Sequence, residues 1–170
     1  VAIALGLLAI RSAAIVWTDR QDHTLLVGTL REDGICLQTS AYSCSAAAAV
    51  MLLSQHGIRS TEREMAVLCY TRSGESFASG TTPSGLMCGL RRKLGDRARI
   101  RISMPPYEDL PTPSVVSIRW GGAILHSVLL RDKTPEGVVI WDPQAGMRKW
   151  TRTEFERERI GPAIWAEAGP

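Results

Sequence analysis

Apolar positions along this chain follow two different periods, and the change comes near residue 95. Before it, the runs suit helices. Ser45 to His56 is rich in Ala, Leu and Met and ends at Gly57, a residue suited to the position just past a helix. Thr61 to Cys69 opens on Thr61 with Glu64 three positions on, the pairing of a capping box. Thr82-Pro83 predicts a third helix, Pro83 to Leu94, with Pro in the first turn and Gly95 beyond the end. After it, the period shortens. Arg97, Arg99 and Arg101 alternate with Ala98, Ile100 and Ile102, the pattern of a half-buried strand with a basic outer face. Pro105 to Pro113 reads as a loop. Val115 to Trp120, Ala123 to Arg131 and Gly137 to Trp141 are short apolar runs, punctuated by Gly-Gly, Asp-Lys-Thr-Pro and Asp-Pro. Thr151 or Thr153 can cap a short helix through Arg157, and Ala163 to Ala166 predicts a closing strand. Helices first and an antiparallel sheet second make an α+β arrangement.

The first stretch stands apart. Val1 to Trp17 is apolar apart from Arg11 and Ser12 and shows no polar helical face. As a helix it would span about 25 Å, against the roughly 20 apolar residues that a bilayer core requires. A membrane segment, a signal-type apolar region and a buried helix all fit its length. The missing polar face favours the membrane segment. Residues 1–23 are thus expected to be an anchor and linker, and 24–170 a single domain. Arg11 and Arg20 have acidic neighbours, so the charge rule for orientation leaves the side of the membrane open.

Composition narrows the chemistry. A chain of 170 residues can bury a full core without metals or staples. With 20 Lys and Arg against 17 Asp and Glu, the net charge of +3 gives no reason to expect nucleic acid. The basic set Arg91, Arg92, Lys93, Arg97, Arg99 and Arg101 lacks interleaved aromatic platforms and reads as a solvated face. Four cysteines are too few for a disulfide scaffold, and Cys36, Cys44, Cys69 and Cys88 contain no C-x-x-C pair. With three histidines, a finger-type zinc site is not expected, and neither metal nor organic cofactor is implied. His23 and His56 are expected at the surface or at a cap. Cys36, Cys69 and Cys88 are expected to be buried or bystander thiols.

Cys44 is different. It stands where a polar turn, Thr39 to Ser43, meets the alanine-rich helix, and a helix N-terminus favours the thiolate. A thiol packed as a small hydrophobe is the plainer reading of that position. His126 lies within an apolar run, and a buried imidazole requires hydrogen-bond partners. Asp142, followed by Pro143, ends the next apolar run; it suits a turn, and equally suits orienting that imidazole if the two runs pair. Gln38, six positions before Cys44, can donate to an oxyanion beside the Cys44 N–H. Tyr42, Ser43 and Ser45 flank the thiol and are the candidate substrate contacts.

Leu37 to Ala49, with Leu53 to Ile58 behind it, resembles the nucleophile segment of the double-glycine leader peptidases that process bacteriocins. Gln38 and Cys44 keep that family's spacing, His126 matches its strand histidine, and Asp142-Pro143 its Asp-Pro. Gly80 to Leu86 resembles the stretch before the family's third helix, and the likeness runs over about residues 34 to 166. The resemblance implies a papain-like fold, with a helical half packed on an antiparallel sheet. It also implies a cysteine peptidase acting through a thioester, cleavage after a Gly-Gly type leader, and a narrow cleft beside the thiol. The expected partners are a leader-bearing peptide and export machinery, in a membrane-associated, bacterial-type setting. One position departs from the pattern: Ser45 stands where the family usually has Gly. No G-x-x-x-x-G-K-[ST] motif occurs, so ATP-driven transport is not written in these residues. A leader-binding module without catalysis, and a papain-like acyl transferase or isopeptidase, use the same scaffold and stay open.

Overall fold

The computed structural model describes residues 23–74, 79–120 and 124–169. The expected membrane segment lies outside them. Among the described residues, no helix is long and apolar enough to cross a membrane. Helices α1 (Cys44–Ser54), α2 (Glu62–Leu68) and α3 (Pro83–Leu94) come first. Strands β1 (Ala98–Ser103), β2 (Ser114–Trp120), β3 (Ile124–Lys133), β4 (Gly137–Asp142) and β5 (Gly146–Thr151) follow, then α4 (Arg152–Glu158) and β6 (Ala163–Ala168). The strands form one antiparallel sheet in the order β1-β6-β2-β3-β4-β5.

Helix α1 is buried on every side from Ser45 to Leu53, which explains why its sequence has no polar face. It packs on β2 and β3 and against α2 and α3, and its four alanines let those neighbours come close. Cap chemistry sets the other helix starts. The Thr61 hydroxyl accepts from Glu64 N at 3.2 Å, but the Glu64 carboxylate turns to Ser60 and Lys93, so only half of the expected box forms. Thr82 accepts from Gly85 N at 3.1 Å, with Pro83 in the first turn. Thr151, not Thr153, caps α4, and there Glu154 completes a capping box. Both faces of the sheet are covered. Helices α1, α2 and α3 cover one face; Tyr107, Leu110 and Phe155 of α4 close the other over Ile118, Val128, Leu130 and Ile140.

Several expectations change. Helix α1 begins one residue earlier than predicted and ends at Ser54, leaving His56 in the turn beyond it. Strand β5 was absent from the reading of the sequence. It is an edge strand whose residues alternate between partial and full exposure, so it carries no apolar run. Ile102 was expected inward but is 40% exposed, as the alternation of β1 gives way to exposure over its last three residues. His23 was expected at the surface or at a cap; it is buried before the first helix, with its ring 6.3 Å from that of Tyr42.

Candidate active site

The turn before α1 is braced from several directions. Ser43 Oγ donates to Ser40 O at 2.8 Å, and Ser43 is wholly buried, so it holds the turn instead of facing solvent. Glu62, fully buried at the start of α2, accepts from Gly28 N (2.9 Å), Thr39 N (2.8 Å) and Thr39 Oγ1 (2.6 Å). Gly28 is required at that approach, since a Cβ there would meet Leu37 O at 2.5 Å. Next to Thr39, Gln38 N donates to Pro143 O at 2.8 Å, tying the glutamine segment to the turn that follows Asp142. The Gln38 side-chain nitrogen donates to Ser40 O at 2.8 Å. With the turn held, Cys44 becomes the first residue of α1.

Sheet register brings the other groups to the thiol. Strand β3 outruns β4: their ladder starts at Leu129 opposite Trp141. Asp142 therefore falls opposite Val128, and His126 lies one diagonal step away on the same face. His126 Nε2 and Asp142 Oδ1 are 2.7 Å apart. Asp142 Oδ1 also accepts from Gln144 N at 2.8 Å, and Asp142 Oδ2 from Arg148 Nη1 at 3.3 Å. On the helix side, the Ser127 and Ser45 hydroxyls are 2.8 Å apart. The Cys44 thiol is in the electrostatic reach of the His126 imidazole, the Ser127 backbone and the Ser45 hydroxyl.

Electrostatics follows from these contacts. Burial pushes the Cys44 thiol up, but the hydrogen bonds to His126 and Ser127, the His126 charge and the Ser45 hydroxyl outweigh it. The thiol ends below its ordinary value. Burial pulls His126 down, while Asp142 and Cys44 act the other way through hydrogen bonds and charge, and bring it up to about 9. Burial alone would raise Asp142; its bonds to His126, Gln144 N and Arg148 hold it below the usual carboxylate range. All three directions favour a thiolate–imidazolium pair backed by a carboxylate.

A cleft of about 700 Å³ opens over Cys44. Tyr42, Ser45, Thr81 and Leu86 line its helix side, and Val115, Ser117, Leu125 and Ser127 its sheet side. Among the described residues, no group of three or more His, Cys, Asp or Glu side chains is placed to hold a metal ion.

Residues 32–168 match the family described as Peptidase C39. The chain belongs to the peptidase C39 family. It is a cysteine-type peptidase. Its fold is similar to the peptidase domain of Streptococcus ComA, a bifunctional ABC transporter involved in quorum sensing. That match has a TM-score of 0.66 and 21% identity, over 79% of this chain and 96% of that one. A double-glycine-motif protease from an AMS/PCAT transporter, solved with its leader peptide, aligns with a TM-score of 0.65 and 20% identity over 83% and 94%. An uncharacterised protein of Methanothermobacter thermautotrophicus is 29% identical over 140 residues, 82% of this chain and 92% of that protein.

In this C39 peptidase, His126 is hydrogen-bonded to Asp142 and sits beside the Cys44 thiol, and Tyr42 and Ser45 reach the cleft. Gln38 stands two residues before Ser40, with its amide oxygen buried and without a partner among the described residues. Cys36 and Cys69 are fully buried, and Cys88 is half-buried. Reading the sequence missed Glu62 and Arg148. A glutamate at the start of an exposed-looking helix carries no mark of burial. Arg148 could have been noticed through its spacing of two from Trp150, a strand period.

Proposed function

We propose that this peptidase cleaves peptide bonds after a Gly-Gly type leader site, with Cys44 as the nucleophile. The carrying observation is that Cys44 lines the cleft and has beside it His126, whose Nε2 lies 2.7 Å from Asp142 Oδ1. The Cys44 thiolate attacks the scissile carbonyl carbon and forms the C–S bond of a tetrahedral intermediate. The His126 imidazolium gives its proton to the leaving amine as the C–N bond breaks, leaving a thioester. Neutral His126 then takes a proton from water, whose oxygen attacks the acyl carbon; the C–S bond breaks, releasing the acid and restoring the Cys44 thiolate beside the imidazolium. Asp142 holds the imidazole in position throughout. An amide nitrogen carries two N–H groups, so Gln38 retains one beyond its bond to Ser40 for the oxyanion, beside the Cys44 N–H.

Small side chains along the cleft support the Gly-Gly preference: Ser45, Gly80, Ser117 and Ser127 are among the residues that line it. Ser45 is itself a small residue, and its hydroxyl lies 2.8 Å from that of Ser127. The likeness to proteases of leader-bearing substrates supports a leader peptide as partner and export machinery as its destination. The test is hydrolysis of a synthetic peptide with a Gly-Gly site. Cleavage directly after the second Gly by the parent protein is expected, and stable binding of the peptide without cleavage would overturn the reading.

A further inference from the structure

Asp142 is wholly buried, and its two oxygens are unequally served. Oδ1 takes His126 Nε2, Gln144 N and, at 3.3 Å, Ala145 N. Oδ2 has Arg148 Nη1 as its hydrogen-bond partner among the described residues. Strand pairing explains the meeting. β5 lies beside β4 with Gly146 opposite Asp142, so Arg148 occupies the diagonal on one side as His126 does on the other. The guanidinium is about one-third exposed, yet two indoles confine it: its carbon lies 4.8 Å from the Trp150 ring and 5.2 Å from the Trp120 ring. Trp120 is also 5.1 Å from the His126 ring. One face of four adjacent strands thus presents an indole, an imidazole, a carboxylate and a stacked guanidinium in a row.

We propose that Arg148 is a positioning residue for catalysis: seated between Trp120 and Trp150, it holds Asp142 so that Oδ1 stays on His126. The inference rests on the assignment of Cys44, His126 and Asp142 to the reaction. Arg148 does not touch the substrate and exchanges no proton. It satisfies the second oxygen of a buried carboxylate, which otherwise would rotate or protonate more readily. A planar cation fits this slot because it can stack and donate at once, which an ammonium cannot.

The experiment follows alkylation of Cys44 by iodoacetamide against pH, site-resolved by mass spectrometry, alongside peptide hydrolysis. A rate limb below the ordinary thiol range in the parent protein supports the underlying assignment; a limb like that of a free thiol would remove it, whatever Arg148 does. Arg148→Met is expected to lower kcat about tenfold with KM nearly unchanged. It should also move the acid limb up by about half a pH unit, since losing a cation makes proton loss harder. Arg148→Lys should restore the limb but only part of kcat. In an Asp142→Asn background, Arg148→Met should have little further effect. A parent-like limb and kcat in Arg148→Met, or an undiminished loss in the Asp142→Asn background, would overturn the proposal. Thermal melts run beside each variant separate these effects from unfolding, which moves amplitude but not the position of a limb.

Discussion

Cys44 and Cys69 are the same residue type at opposite ends of two packed helices, and their surroundings drive them in opposite directions. Cys44 is the first residue of α1, where the helix dipole favours negative charge. Cys69 caps the C-terminus of α2, where the dipole opposes it. Burial raises both thiols. At Cys44 the contacts with His126, Ser127 and Ser45 reverse that effect. At Cys69 burial and the nearby Cys88 outweigh help from Gly89 N and Arg92, and the thiol is pushed up to about 12. Cys36, buried with Glu62 nearby, reaches a similar value. A helix beside a cysteine is therefore not enough: contact with an imidazole sets the Cys44 thiol apart from that of Cys69.

This contrast can be broken most severely at the thiol itself. Cys44→Ala should reduce hydrolysis of a Gly-Gly peptide by roughly 10³-fold or more, while Cys69→Ala and Cys88→Ala keep parent-like turnover in the same assay. Next in size, His126→Ala removes the partner that separates the two cysteines. Alkylation of Cys44 near pH 7 should then slow by about one to two orders of magnitude, toward the rate at Cys69 in the same digest. The pH profile sharpens the comparison further. The reactive pair needs a protonated imidazole, so hydrolysis should fall as pH rises through about 9, where His126 loses its proton. It should also fall on the acid side, as Cys44 gains one. A rate that keeps rising to pH 10 would contradict the imidazolium. Gly89→Ala tests the inert site alone. Its Cβ would stand 2.3 Å from Cys69 Sγ, so a loss of about 1–3 kcal/mol in denaturant unfolding is expected, with Cys44 reactivity intact. Smallest, Ser45→Gly should alter turnover only a few-fold, since the Ser127 backbone and His126 contacts to the thiol remain.

The helix starts were readable because caps are local. Thr82-Pro83 carries its own signal within two residues, whereas Thr151 and Thr153 both fitted the last helix until the fold chose Thr151. Cys44 was readable for a related reason, since the turn-to-helix boundary lies in adjacent residues. His126 stood out as an imidazole inside an apolar run, and Asp142 as the end of the next one. Glu62 gave no such signal. Its carboxylate is buried by Gly28 and Thr39, respectively 34 and 23 positions away, and no helical pattern records those loops. Strand β5 escaped for the opposite reason. At the sheet edge, its alternation runs between half-exposed and exposed residues, so apolar periodicity has little to mark. With β5 unread, Arg148 had no place beside Asp142.

What the sequence determined by itself was the order of helices and strands, and the kinds of group available: a thiol at a helix start, an imidazole, a carboxylate and an amide. These depend on caps, turns and periodicity, which act over a few residues. Only the tertiary structure decided which thiol is lowered and which are raised. A pKa answers to charges and hydrogen bonds within a few ångströms, and here those come from β3, β4 and β5, up to a hundred residues along the chain. The register of one strand pair set that distance, and register is a property of the folded sheet.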